Sequence, residues 1–507
     1  MPVPLFEHQL VMRQELDRSY SEDIRARNRN LLLLAAVTIG VILRCLFLTR
    51  KSLWMDETGS VLFSQMKWAT FGTVMWQREG NMIFYYLLLR GWLHLGSSEL
   101  WIRTLSVIPA AATVPLIYWL GARLFTRKVG LVSAILLSVN ACHVAYSQEA
   151  RSYSLLLFMG TLSYLYFVKA LENSSVRNWS LYVITSVLSL YSHFFFGFMI
   201  VAQYFSLFFL PHAAIPWKKF LFSVSAIFLL TSPALFFMLT RNAGQIDYIP
   251  HPGMMEIYHL ALFLASHGGK VVGNILVLIY AAALLLTLNA FVSSWIHHKY
   301  SLENWRYALL GSWLLLPIFL TLAISHAGRE IFYYRYLLIC LPPFIILASY
   351  GISLLRSRAL FLATLALMVS LSIAAVFRYY ATPREDWRGL TRDVLSKVRD
   401  GDAILFYPPY SSAPFVFYRD RFQSKEGIPA NLSREDVSAQ ALVESIWPKY
   451  KRVWLVVYRT DAAMGSLESA LASKYRLAAV QKYSGPSAFE YVEAGVVPGK
   501  PSVRGSR

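Results

Sequence analysis

The sequence predicts a polytopic α-helical membrane protein with a C-terminal α/β domain outside the membrane. Three observations predict it. Of 507 residues, 56% are hydrophobic and only 15% are charged, against roughly 25% charged in soluble domains. Apolar runs of spanning length recur up to about residue 380. Beyond Thr382-Pro383 ordinary charge returns, with alternating helix and strand patterns. A soluble multidomain protein of this length would need more charge to coat its surfaces. A disordered chain would not keep 32 Phe, 30 Tyr and 14 Trp solvated. The net charge of +19 reads as cationic membrane flanks rather than a nucleic-acid footprint. Cys45, Cys142 and Cys340 all fall in apolar runs and imply no disulfide framework.

The elements follow in order. Residues 1–30 are polar, with Arg13, Arg18, Arg25, Arg27 and Arg29 ahead of the apolar run 31–48. This reads as a signal anchor, because more spans follow and no A-x-A site closes the run. Further runs lie at 101–121, 129–147, 152–171, 179–193, 194–211, 219–239, 271–296, 307–325, 333–350 and 359–377, so about eleven spans are expected. The pair within 179–211 needs a turn near Ser192-His193. An odd number puts the termini on opposite sides, and the basic N-terminus stays cytoplasmic. The inner loops then hold sixteen Lys and Arg against about eleven on the outer side before residue 380. Several outer arginines sit at span ends, where they need an anionic partner.

The outer connection 49–100 contains two amphipathic stretches, Gly59–Met75 and Phe84–Leu95, which read as interfacial helices. The membrane region is thus expected over 31–380 and the α/β domain, on the outer side, over 381–497. There DWRGLTRDVLSKVRD and SLESALASKYRL read as helices, DAILFY and KRVWLVVY as strands. That domain has no glycine-rich phosphate loop. The tail 498–507 reads as disordered, and no internal repeat of the transporter kind is visible.

Four places carry chemistry. Asp56-Glu57, just outside the first span, suit a general base at a membrane surface, or equally the capped first turn of a helix. SQEARSYS, residues 147–154, brings Glu149, Arg151 and Tyr153 into one outer turn. Such an Arg can fork onto a lipid phosphate, or belong to an ordinary interfacial belt. Residues 326–343 carry Arg329 and Arg335 among Tyr333, Tyr334 and Tyr336, with Glu330 as a local partner and Pro342-Pro343 set to kink or break the helix. Residues 79–92 place Glu79, Asn81, Tyr85 and Tyr86 on a groove or an interfacial anchor. His193, His251, His259, His267 and His326 are scattered without metal-ligand spacing.

The ordered set of motifs resembles glycosyltransferase family 39, the protein O-mannosyltransferase-like and aminoarabinose-transferase-like membrane enzymes of the GT-C fold. The matching parts are SLWMDETGS, FYYLLLRGWLHLGSSELWIRTLSVIPA, AYSQEARSYSLLLF, LYSHFFFGFMIVAQ, YRYLLICLPPF and the opening PREDWRGLTRDVLSKVRDGDAILFY. The resemblance implies a polyprenyl-phosphate sugar donor used on the outer, periplasmic side of the cytoplasmic membrane. It implies Asp56 as catalytic base with Glu57 beside it, and Arg151 and Arg335 as donor-phosphate contacts. Arg329 is set with those contacts, and Glu149, Tyr153, Tyr85, Tyr86, His193 and Tyr336 with the substrate pocket.

No cofactor is implied by the motifs present. Asn81-Met82-Ile83 stand where many members have HPP or EKP, and Asn81 replaces the acidic or His residue that helps hold a metal in some of them. The physics agrees with this equipment. A departing phosphate needs no general acid, so one base and a clamp of cations suffice, and direct displacement inverts the anomeric centre. The acceptor, whether protein, lipid or polysaccharide, is not readable, and no nucleic acid is implied. A lipid or glycan transporter is the alternative reading. It calls for ionisable residues deep within spans, whereas those here gather at outer ends.

Overall fold

The computed structural model describes residues 26–240, 248–297, 299–422, 430–431, 438–447, 449–458, 460 and 462–494. Most of the basic N-terminal segment and the tail 498–507 lie outside the described residues. Contacts divide the chain into two compact units. The first holds residues up to 46, 68–88 and 103–380; the second holds 47–67, 89–102 and everything from 381.

The helices before the C-terminal domain run in this order: α1 (Ala26–Cys45), α2 (Met55–Gln65), α3 (Trp68–Gln77), α4 (Ile83–Leu93), α5 (Glu99–Leu124), α6 (Arg127–Ser138), α7 (Ala141–Ser147) and α8 (Tyr153–Glu172). Then come α9 (Val176–Ser192), α10 (Phe196–Ser206), α11 (Trp217–Thr240), α12 (Glu256–Ser266), α13 (Lys270–His297), α14 (Leu302–His326), α15 (Leu341–Ser353) and α16 (Arg358–Ala381). Among the described residues, eight segments are long and apolar enough to span: α1, α5, α8, α11, α13, α14, Tyr336–Ser353 and α16. The protein is a multi-pass membrane protein, and among the described residues the expected eleven spans are not confirmed. The run 129–147 is a broken pair, α6 and α7, bent by 59°, which brings the number to nine if counted as one span. The run 179–211 does turn after Ser192, but it yields the 17-residue α9 and the 11-residue α10, both short for a bilayer.

The break between α6 and α7 has a local and a distant cause. The Asn140 side chain caps α7 by accepting from His143 N at 2.9 Å. The buried Arg44 guanidinium donates to the last carbonyls of α6, Ser138 O at 3.0 Å and Leu137 O at 3.2 Å, and to His143 Nδ1 at 2.5 Å. A helix end buried in apolar surroundings otherwise leaves these carbonyls unmet. Gly40 permits the approach, since a Cβ there would lie 3.2 Å from an Arg44 nitrogen and 3.3 Å from Ser138 Cβ. Replacing Arg44 by Leu is expected to cost about 3 kcal/mol or more. Thermal unfolding in detergent would show it as a lowered Tm, and an unchanged Tm would sink this account.

Pro342-Pro343, expected to kink or break a helix, stand where a 3-10 turn gives way to an α-helix. They sit in the first turn of α15, after a 3-10 turn at Tyr336–Cys340, where missing N–H groups cost nothing.

In the second unit, α17 (Trp387–Leu395), α18 (Ser412–Phe422), α19 (Ala439–Ile446) and α20 (Ala462–Ala472) accompany five strands. These are β1 (Ala403–Tyr407), β2 (Ala430–Asn431), β3 (Arg452–Val457), β4 (Tyr475–Lys482) and β5 (Ser487–Glu493), in the order β2-β1-β3-β5-β4. β1 pairs with β2 and β3 in parallel, and β5 is antiparallel to β3 and β4. β1 and β3 are buried on both faces, which is why AILF and VWLVV read as continuous apolar runs. The SLESALASKYRL segment splits: its helix ends at Ala472, and Tyr475 already belongs to β4. The outer connection 49–100 is divided between the units, and its first amphipathic stretch is two helices, α2 and α3, parted at Met66-Lys67.

Candidate functional site

In the second unit the acidic pair opens α2. The two carboxylates do different jobs. Glu57 is fully buried, and its Oε2 accepts from Trp54 N at 3.3 Å, satisfying one of the donors at the helix start. The cap is therefore Glu57 and not Asp56. Asp56 is half-buried in the first turn, and its backbone carbonyl accepts from Ser60 Oγ at 2.9 Å.

The segment carrying Asp56 is held from several directions by residues distant in sequence. Tyr418 OH accepts from Leu53 N at 2.6 Å. Glu385 Oε2 accepts from Met55 N at 3.4 Å and from Trp387 Nε1 at 2.8 Å, while Oε1 accepts from Tyr458 OH at 2.8 Å. The Glu385 carbonyl also accepts from Ser52 Oγ, and the Arg384 guanidinium lies 4.5 Å from the centre of the Trp54 ring. At the far end of α2, Arg90 donates to Ser64 O at 3.2 Å and Met66 O at 2.6 Å. That cation meets the negative end of a helix. Nearby Arg388 pairs with Glu99. Burial works against the Arg388 charge, but the Glu99 carboxylate outweighs it and holds the guanidinium above its ordinary pKa.

In the first unit the other motifs converge. Tyr85 OH donates to Ser106 Oγ at 3.0 Å, and Ser106 Oγ donates to the Arg151 carbonyl at 3.2 Å. Tyr153, buried at the start of α8, has its ring centre 5.9 Å from that of His193. His193 is in turn 5.1 Å from Tyr336, whose OH bonds Tyr248 OH at 2.9 Å. Asn81 reaches the same place, accepting from Phe194 N at 2.8 Å through Oδ1. Arg151 acts electrostatically on His193, as Glu149 and Arg335 do on Tyr146. Arg335 lies over the Tyr333 ring at 4.9 Å and donates to its OH at 3.2 Å. Glu149 is buried in the same turn as Arg151, and Tyr86 is buried in α4.

Arg329 is different: it is exposed in the turn that ends α14. Glu330, the local partner expected for these arginines, pairs with His251 Nδ1 at 2.9 Å. Among the described residues, no group of three or more His, Cys, Asp and Glu side chains lies close enough together to hold a metal ion.

Residues 80–237 match the family model described as dolichyl-phosphate-mannose-protein mannosyltransferase. No curated protein matches the sequence. Among solved structures, the chain is similar to apo ArnT from Cupriavidus metallidurans at 11% identity and a TM-score of 0.62, over 92% of this chain and 98% of that one. It is similar to the same protein bound to undecaprenyl phosphate at 10% identity and a TM-score of 0.57, over 90% and 97%. The Archaeoglobus fulgidus oligosaccharyltransferase, in complex with Zn and sulfate, is similar at 12% identity and a TM-score of 0.52, over 91% of this chain and 73% of that one. The likeness runs nearly end to end, and the chain has the GT-C glycosyltransferase fold with a small C-terminal sheet domain.

Proposed function

We propose that this protein is an inverting glycosyltransferase that moves a sugar from a polyprenyl-phosphate donor to an acceptor hydroxyl at the outer face of the cytoplasmic membrane. The observation that carries the reading is the likeness over 90% of the chain to ArnT holding undecaprenyl phosphate. The match of residues 80–237 to mannosyltransferases that use a lipid-phosphate sugar supports the donor class. The N-terminus is cytoplasmic and the C-terminal domain lies outside.

In this reading Asp56 takes the proton from the acceptor hydroxyl as its oxygen attacks the anomeric carbon. The bond from that carbon to the phosphate oxygen breaks, and the electron pair leaves with the polyprenyl phosphate. Arg151 and Arg335 hold the departing dianion. One displacement inverts the centre, so no second carboxylate nucleophile is called on. Asp56 joins the two arginines in one reaction by motif order in the sequence. The clustering of Tyr85, Tyr153, His193 and Tyr336 around the Arg151 turn supports a pocket there.

The test is transfer of radiolabelled sugar from polyprenyl-phosphate donors to envelope acceptors in membranes containing the protein. Transfer with inversion is expected. Movement of the lipid across the bilayer without transfer would replace this reading by the transporter.

A positioning role follows for Glu385, which fixes the backbone ahead of Asp56. Glu385→Ala is expected to lower kcat by ten- to a hundredfold with KM nearly unchanged, because a displaced base costs rate without loosening the donor. A parallel rise in KM, or wild-type turnover, would refute that role.

A further inference from the structure

Between residues 100 and 240 the sequence holds two carboxylates, Glu149 and Glu172. Glu149 lies in the Arg151 turn, and Glu172 closes α8 at its other end. The helix has 20 residues, so its two ends stand about 30 Å apart, the thickness of a hydrocarbon core. At the Glu172 end, four cations gather around that single carboxylate. Arg123, in the last turn of α5, pairs with Glu172 at 2.5 Å. Lys169 is in the last turn of α8, and Arg177 opens α9. Lys219, in the first turn of α11, donates to the Ser174 carbonyl. Burial opposes the Lys169 charge, Arg123 and Arg177 repel it, and Glu172 attracts it.

The turn beneath these charges is fixed. Asn178 Nδ2 donates to Lys169 O at 3.2 Å and to Asn173 O at 2.9 Å. Ser175 Oγ caps α9 by accepting from Asn178 N at 3.2 Å. The buried Trp179 donates from Nε1 to Ser174 Oγ at 3.0 Å. The backbone bearing Lys169 and Arg177 is therefore held, and like charges held together favour an anion between them. The surface alongside is apolar. Val176 is 74% exposed, and just past Lys219 on α11, Leu221 and Phe222 are 56% and 74% exposed. Cations at helix ends with bare apolar surface beside them match a phosphate head group and its acyl chains. A free anion would engage the charges alone.

We infer that the turn joining α8 and α9, with the adjoining ends of α5 and α11, is a binding site for the head group of an anionic phospholipid. The occupant is a lipid of the bilayer and not the sugar donor proposed above, because the Arg151 turn lies the length of α8 away. The inference stands independently of the proposed function. Glu172 competes with the lipid for Arg123, which fixes the sign of its contribution: the one carboxylate weakens the site.

The test titrates the full-length protein in detergent with phosphatidylglycerol and with zwitterionic phosphatidylcholine, counting bound lipid by native mass spectrometry. Phosphatidylglycerol is expected to bind at least tenfold more tightly. A cation near an anionic head group is worth about fivefold in affinity. Arg123→Gln, Lys169→Gln and Arg177→Gln combined are therefore expected to weaken phosphatidylglycerol at least tenfold and leave phosphatidylcholine unchanged. Glu172→Gln is expected to tighten phosphatidylglycerol about fivefold, a gain that a structural ion pair does not give. The charge-matched control Arg127→Gln, Arg356→Gln and Arg358→Gln is expected to bind as the wild type does. Equal loss in that control would leave only diffuse attraction and overturn the site. Unchanged binding in the first triple variant would do the same. If that variant does not fold, Glu172→Gln decides alone, and unchanged or weaker binding overturns the inference. Displacement of the lipid by equimolar inorganic phosphate would make a free anion the occupant and sink the phospholipid.

Discussion

Asp56→Asn is expected to abolish sugar transfer without unfolding the protein, whereas Glu57→Ala is expected to unfold it more readily. The contrast follows from two adjacent carboxylates in one helical turn with different surroundings. Glu57 is fully buried and spends its carboxylate on the Trp54 N–H. Removing it strands a buried donor, at a cost of about 1–3 kcal/mol. Asp56 is half-buried and leaves the capping to its neighbour. Asn is its isostere and cannot take a proton, so general-base catalysis worth about 10²–10⁴ in rate is lost. The measurement pairs transfer activity with Tm for each variant at matched expression. Equal transfer by Asp56→Asn and wild type would remove Asp56 from the mechanism. Equal Tm for Glu57→Ala would remove Glu57 from the fold.

The second large effect is expected at the arginines. Arg151→Gln and Arg335→Gln should each reduce transfer about 10²–10³-fold, the usual loss when one preorganised donor to a developing charge is removed. Arg151 sits in a turn whose carbonyl is tied through Ser106 to Tyr85, so its backbone is held in place before donor binds. Arg335 is held by Tyr333, both under the guanidinium and through the phenol. Lysine at either position restores charge but not the planar fork, and is expected to recover only part of the activity. Steady-state kinetics with the lipid-linked donor would decide it. Full recovery by lysine would show that point charge alone is needed. Wild-type rates in both glutamine variants would dismiss the phosphate clamp. Arg329, exposed beyond α14, is not expected to show comparable losses.

Much of the membrane region was legible because its signal is local. An unbroken apolar run such as that of α13 announces a span whatever surrounds it. The turn after Ser192 and the strands at AILFY and VWLVV were legible for the same reason. The bend within the run 129–147 was not legible, because its cause is distant. The bend between α6 and α7 depends on Arg44, 94 residues from the Ser138 carbonyl it caps. The site divides along the same line. Arg151, Tyr153, His193 and Tyr336 stood out within their own motifs. The contacts of Asn81 with Phe194 and His193 emerge only in the fold. The partners of Arg90, the carbonyls of Ser64 and Met66, carry no mark in the sequence. Glu385 passed unnoticed as one carboxylate in a charged stretch.

The bond between Ser52 and Glu385 closes a separation of 333 residues, and this gives the protein a clock. A ribosome adding about 5–20 residues per second needs roughly 17–67 s to travel from one to the other. During that interval the helix bearing Asp56 has been made, yet Glu385, Tyr418 and Tyr458, which hold the segment ahead of it, have not. Newly made chains therefore pass through a stage in which the apolar helices are largely synthesised but the segment 52–55 is not held. The segment ahead of Asp56 is thus fixed late, and under the proposed function a chain truncated before Glu385 is expected to insert without transferring sugar.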